Sequence, residues 1–227
     1  MITLQGFAAS NFYNVVKHVL LYKGIPFQEI EVFGANDDWL AISPVGKVPA
    51  ITTEDGRHLS EASVICDYIE ETYPSMPLYP TDAAERGTVR QIMKVAELYM
   101  EVPTRRLIGY HFAGDPVPDL LASEVRHVVK RGVGAMQRLC KFSPWIAGDQ
   151  LTMADIYVHY VNAVVGQVGS KELNWDIIGD IPGMREWREA MKDTDIARSV
   201  EEGRMENIPR FQAYVKDYMT GTKSNTK

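Results

Sequence analysis

The stretch Ser43-Pro44-Val45-Gly46-Lys47-Val48-Pro49-Ala50-Ile51 constrains this chain more than any other. It is a turn, a lysine, and a Val-Pro step into an apolar strand. Proline has no backbone N–H, so at the mouth of a strand it leaves the preceding residue's N–H and C=O outside the ladder and open to a ligand. An X-Pro bond is also the one peptide whose cis form is cheap to keep. The expectation is a cis Val48-Pro49 bond, with Val48 offering a donor and an acceptor side by side and Lys47 as a cation beside them. A plain loop leading into a strand would use the same residues. The neighbouring segments decide between the two.

Before this stretch, Ile2 to Phe7 reads as a strand. Ser10-Asn11 then precedes Val15, Val16, Val19 and Leu20, spaced three and four apart, and Lys23-Gly24 closes the pattern. That is an amphipathic helix with a capping residue in front and a glycine stop behind. Phe27 to Phe33 reads as a second strand, and Asn36 to Leu40 as one irregular helical turn. After it, Ala50-Ile51-Thr52-Thr53 turns at Asp55-Gly56 into Arg57-His58-Leu59, a strong hairpin signal. Ser60-Glu61 then opens a helix through Val64, Ile65, Tyr68 and Ile69 that stops at Tyr73-Pro74. The order β-α-β-α-β-β-α is that of a thioredoxin-like domain.

The proline-punctuated run from Tyr73 to Pro80 cannot be regular structure. Beyond it every periodic segment is helical. Asp82 and Glu85 form a possible capping box for a helix through Val89, Ile92, Met93, Ala96 and Met100, which Pro103 should kink. A second long helix is expected from about Pro118 to Phe142, and others over Met184 to Lys192 and Arg210 to Tyr218. In Trp145-Ile146-Ala147-Gly148-Asp149-Gln150-Leu151-Thr152-Met153-Ala154-Asp155-Ile156, Thr152 and Asp155 can bond each other's amides at a helix start. The helix behind them, through Tyr157, Tyr160 and Val164, should be the buried centre of this half. The fold class is therefore an α/β thioredoxin-like domain, residues 1–78, a linker over 79–86, and an all-helical domain over 87–227. Thr220 to Lys227 reads as a polar tail.

Composition narrows the function. At 227 residues, 45% of them hydrophobic and 24% charged, the chain is ordinary for a globular protein. A net charge of −6 disfavours nucleic acid and anionic membranes as partners. Residues 1–5 lack the basic start and apolar run of a signal peptide, and the expected compartment is the cytoplasm. Cys66 and Cys140 lie far apart within helix-like patterns and read as buried, inert thiols, not as a disulfide or a metal site.

Four features together resemble the cytosolic glutathione transferases of bacteria, over nearly the whole chain. They are Ser10 with its helix ending at Gly24, the segment Pro44 to Pro49, Glu61-Ala62-Ser63-Val64-Ile65, and the Thr152–Asp155 box. The resemblance implies an enzyme that adds the thiolate of glutathione, its co-substrate, to a small hydrophobic electrophile, and a homodimer. It gives Ser10 to the thiolate, Lys47 to the glycyl carboxylate, the Val48 backbone before Pro49 to the cysteinyl amide, and Glu61 with the helix amides at Ala62 to the γ-glutamyl end. The γ-glutamyl placement also makes physical sense, since Glu61 can pair with an ammonium and helix amides with a carboxylate. The family usually has serine where Ala62 stands, so one hydroxyl donor is missing. By the same resemblance the Thr152–Asp155 box is a folding element. The competing function is a non-catalytic binding or regulatory module on the same fold.

Chemistry supports the first reading. Lowering a thiol's pKa from about 8.5 to about 6.5 takes roughly 2.7 kcal/mol of extra stabilisation of the anion. A hydrogen bond to a charged group supplies about 1.5–3 kcal/mol and a helix N-terminus about 0.3–1. A serine at a helix start can deliver both. Asn11 and Tyr13 are alternative donors. Ser10 and Tyr13 stand where a Cys-x-x-Cys would be, which argues against dithiol chemistry. Tyr99, Met100, Tyr110, His111 and Phe112 are candidates for an apolar wall, although such stripes are more often core.

Overall fold

A computed structural model describes residues 1–34 and 36–219. Its packing divides into two units, Met1–Met76 together with the chain from Thr194 onward, and Pro77–Asp193.

The first unit is built on β1 (Ile2–Gly6), whose Ile2 and Leu4 are fully buried. β1 pairs in parallel with β2 (Phe27–Glu31), Ile2 opposite Phe27. On its other side it runs antiparallel to β3 (Ala50–Thr52), Leu4 opposite Ile51, and β3 pairs antiparallel with β4 (His58–Ser60). Among the described residues the sheet order is β2-β1-β3-β4. α1 (Asn11–Tyr22) buries Val15, Val16, Val19 and Leu20 and packs beside α3 (Ala62–Thr72), which buries Ile65, Cys66 and Ile69. Gly24 takes φ +63°, and behind it the Ile25 amide reaches back to the Leu20 carbonyl at 3.0 Å, closing α1 as the Gly stop predicted. α2 (Asp37–Ile42) stands where one irregular turn was expected. β2 ends two residues early: Phe33 leaves the strand and stacks on Phe7 at 4.9 Å.

The buried Lys23 ammonium pairs with Glu70 at 2.6 Å and donates to the carbonyls of Tyr73, Ser75 and Met76. One cation thereby anchors the proline-rich run that follows α3. Burial pushes the Cys66 thiol well above its usual range, as expected of an inert cysteine.

α11 (Asp195–Met219) departs from expectation. It begins fifteen residues before Arg210 and packs with α1 in the first unit, so the helical region over 87–227 does not form a single unit. Pro209 concealed it. A proline deletes one helical donor and ordinarily ends or kinks a helix, yet here helix continues on both sides. Residues 220–227, the expected tail, lie outside the described residues.

In the second unit, Leu78 and Tyr79 are buried and the Leu78 carbonyl accepts from Met153 at 2.7 Å. Tyr79 of the expected linker is thus packed, and the exposed Asp82 caps α4 (Ala83–Ala96), whose first turn takes up the rest of that linker, by accepting from the Ala84 and Glu85 amides. α4 runs into a wide π turn over Glu97–Glu101 and then α5 (Val102–Arg105), with Pro103 in the first turn of α5. The disturbance expected at Pro103 is this wider turn. α6 (Ile108–Ala113) and α7 (Asp119–Leu139) follow. Gly132 of α7 lies against the π turn, where a Cβ would come within 2.8 Å of the Tyr99 carbonyl oxygen. α8 (Met153–Val164) is buried along most of its length, as the central helix should be. It passes through a second π turn, Val165–Gly169, into α9 (Ser170–Glu172), and α10 (Met184–Lys192) has the expected bounds. Cys140, expected to be buried, is only partly so, and desolvation still pushes its thiol up to about 12.

Candidate functional site

Strand register gathers the marked residues at one edge of the first unit's sheet. Gln5 pairs with Ala50 and Ala50 with Ser60. One step further along these antiparallel ladders come Gly6 and the loop to Ser10 on β1, Pro49 and Val48 before β3, and Glu61 after β4. Three segments far apart in sequence meet there because a period-two ladder leaves their ends nowhere else to go. Gly6 makes the approach possible. A Cβ on it would lie 2.7 Å from the Tyr13 ring and 3.1 Å from the Val48 Cβ.

Ser10 is the N-cap of α1, in extended backbone, half-buried. Its Oγ accepts from the Tyr13 amide at 3.4 Å. The hydroxyl therefore spends a lone pair on the helix, and its own proton remains for an acceptor. Asn11 follows as the first residue of α1. Tyr13 is placed differently from an anion donor: its ring is buried and its hydroxyl donates to Glu29. Burial and the Glu29 carboxylate push that phenol far above the usual tyrosine range. Lys17 pairs with the same carboxylate at 2.9 Å.

The Val48-Pro49 bond is cis, as expected, and so is Ser143-Pro144. Among the described residues, the Val48 amide and carbonyl carry no backbone hydrogen bond. The preceding turn is held from inside by the buried Ser43, whose hydroxyl donates to the Lys47 carbonyl at 2.7 Å. Lys47 is exposed, with no carboxylate partner among the described residues. Glu61 is exposed at φ +68°, a left-handed conformation that is uncommon for a glutamate, directly before α3. The N-terminus of α3 receives no side-chain cap, and Ala62 in its first turn is buried.

Two residues at this edge had no motif to announce them. Asn14 on α1 donates to the Ala8 carbonyl at 2.9 Å, and Asn207 on α11 accepts from the Ala9 amide at 2.9 Å. Both are buried. Of the expected apolar wall in the second unit, Met100 is core, while Tyr99 and Phe112 are exposed. His111 pairs with Glu172 at 2.7 Å. Among the described residues, no group of His, Cys, Asp or Glu side chains is placed to hold a metal ion, and no helix is long and apolar enough to cross a membrane.

Fold and edge together define a thioredoxin-like α/β domain followed by a helical region. Comparison with known proteins makes the assignment specific. The profile "Glutathione S-transferase, N-terminal domain" matches residues 4–77. A glutathione S-transferase of Pseudomonas putida is 36% identical over 217 residues, 95% of this chain and 98% of the relative. A maleylacetoacetate isomerase of Pseudomonas aeruginosa is 24% identical over 151 residues, 63% of this chain and 71% of the relative. The crystal structure of glutathione transferase F2 from Populus trichocarpa has the same fold, with a TM-score of 0.75 at 22% identity over 91% of this chain and 100% of that one. The chain belongs to the glutathione S-transferase family, a family of enzymes that use glutathione.

Proposed function

We propose that the chain binds glutathione at this sheet edge, activates its thiol through Ser10, and adds the thiolate to small hydrophobic electrophiles. The observation that carries this reading is the state of the Ser10 hydroxyl, which caps α1 as an acceptor and so keeps its proton available. A sulfur anion at the head of α1 would take that proton as a hydrogen bond, in the positive field of the helix. Ser10 donates without becoming a nucleophile, so it needs no histidine or aspartate partner. Tyr13 is the weaker candidate because its proton is committed to Glu29.

The remaining residues suit the rest of the tripeptide. Val48 offers an amide and a carbonyl with no backbone partner, the pairing a peptide unit needs, and Pro49 ends the ladder there. Lys47 supplies a cation for the glycyl carboxylate. Glu61 suits the α-ammonium of the γ-glutamyl end, and the uncapped N-terminus of α3 at Ala62 suits its carboxylate. Asn11 flanks the sulfur. We also place the enzyme in a homodimer, for which the exposed Leu98, Tyr99 and Val102 of the second unit offer an apolar face.

A second reading, isomerisation of a small unsaturated acid with glutathione as the adding and leaving group, is favoured by the similarity to a maleylacetoacetate isomerase. The thiolate and its donor are the same in both. Assay of the purified protein with glutathione and either chlorodinitrobenzene or maleylacetoacetate separates them: conjugation without isomerisation supports the first, and the reverse supports the second. Failure to bind glutathione at millimolar concentration would leave the non-catalytic module as the reading.

A further inference from the structure

The loop that carries Ser10 is held from both ends of the sequence. From α1, Asn14 Nδ2 donates to the Ala8 carbonyl at 2.9 Å. From α11, Asn207 Oδ1 accepts from the Ala9 amide at 2.9 Å, across 198 residues of sequence. The other end of the Asn207 amide donates to Glu31 Oε1 at 2.7 Å, and Glu31 in turn pairs with Arg210, one turn further along α11. The Phe7 ring at the head of the loop lies between Phe33, at 4.9 Å, and Phe211 of α11, at 5.1 Å. Tyr214 continues the stack on Phe33 at 5.2 Å.

These contacts have a direction. Glu31 and Phe33 belong to the end of β2 and the residues after it, and their partners Arg210 and Tyr214 follow Asn207 along α11, so the helix is pinned to the sheet just beyond the point where it reaches the loop. Asn207 uses both halves of its amide, which fixes its flip, and it is 8% exposed. The peptide it holds, at Ala9, leads directly into the residue whose hydroxyl must aim at sulfur. A loop peptide that rocked would swing the Ser10 side chain, and a displacement near 1 Å is enough to cost about 100-fold in a positioned reaction.

We propose that Asn207 is a positioning residue for glutathione activation: by holding the Ala9 amide it sets the aim of the Ser10 hydroxyl, and so couples the C-terminal helix to the acidity of the bound thiol. This inference rests on the assignment of Ser10 made above. Asn207 acts through Ser10, so its contribution exists only while Ser10 is present.

A double-mutant cycle tests this. Turnover of glutathione with chlorodinitrobenzene is measured for the wild type, Asn207→Ala, Ser10→Ala and the double variant, below the unfolding midpoint of each. Asn207→Ala is expected to lower kcat about tenfold, with KM for glutathione changed by less than about twofold, and to raise the pH at which the bound thiol ionises. In the Ser10→Ala background the same substitution is expected to have no further effect. An equal tenfold loss in both backgrounds, or no loss in either, overturns the proposal. Wild-type turnover in Ser10→Ala instead overturns the Ser10 assignment itself, and that outcome is visible in the single variant alone. If Asn207→Ala does not fold, Glu31→Ala carries the cycle. It leaves Asn207 in place but unmoored and is expected to lower kcat about threefold, again only when Ser10 is present.

Discussion

Two helix starts in this molecule are closed by polar side chains, a serine at one and an aspartate at the other, that serve opposite ends. At α1, a half-buried Ser10 accepts one long bond, 3.4 Å, from Tyr13. At α8, a fully buried Asp155 accepts from the Thr152 amide at 2.8 Å, the Thr152 hydroxyl at 3.0 Å, the Ile146 amide at 2.7 Å and the Trp187 indole at 2.8 Å. The second start is saturated. Burial pushes the Asp155 pKa up while its four donors pull against that shift. The first start is left incomplete, with a hydroxyl proton and the helix field still to be used. A cap that finishes its own helix is a folding element; a cap that leaves donors over can serve a ligand.

Substitution at the saturated start should have the larger effect. Asp155→Ala strands four buried donors, so it is expected to cost about 3–5 kcal/mol of stability, more than the roughly 0.5–2 kcal/mol of an exposed cap. Chemical denaturation measures this. A normal midpoint with lost activity would erase the distinction between the two starts.

At the incomplete start the effect should fall on rate and leave stability nearly unchanged. Ser10→Ala is expected to lower kcat by about 10- to 150-fold, the equivalent of about 1.5–3 kcal/mol in the reacting state, with little change in glutathione affinity. Steady-state kinetics check it, and unchanged turnover would move the role to Asn11.

A third start, that of α3, lies between these cases, because it has no side-chain cap and a buried alanine, Ala62, in its first turn. Ala62→Ser adds a hydroxyl that needs a partner once buried. The γ-glutamyl carboxylate would provide it, and glutathione should bind roughly tenfold tighter, about 1.4 kcal/mol, with turnover unchanged. Calorimetric titration of both proteins reads the difference. Equal affinity would mean that the carboxylate is held elsewhere.

Much of this was legible in the sequence because it is local. Periodicity, the Gly24 stop, the Asp55-Gly56 hairpin and the Thr152–Asp155 pair act within a few residues, and each formed where expected. That Val48, Glu61 and Ser10 serve one ligand was implied by the family resemblance alone, and the register that brings them to one sheet edge is a finding of the structure. What stayed hidden is long-range or masked by a breaker. Trp187 completes the Asp155 network from beyond the motif, and the Ile146 amide joins it from the motif's other end. Asn207 is a polar residue in a polar stretch, two residues ahead of Pro209, and no spacing rule connects it to Ala9. A charged side chain was no easier to place: Lys23 reads as a helix-end cation, and it anchors the chain after α3 from a buried position.

The central claim is that Ser10 stabilises the glutathione thiolate. Ultraviolet titration of the bound thiol tests it most directly. For the wild type, the thiolate band should appear with a midpoint of about 6.5, some two units below a free thiol at about 8.5, and in Ser10→Ala the midpoint should return most of the way to the free value. A bound thiol that ionises at the same pH in both proteins would contradict the account.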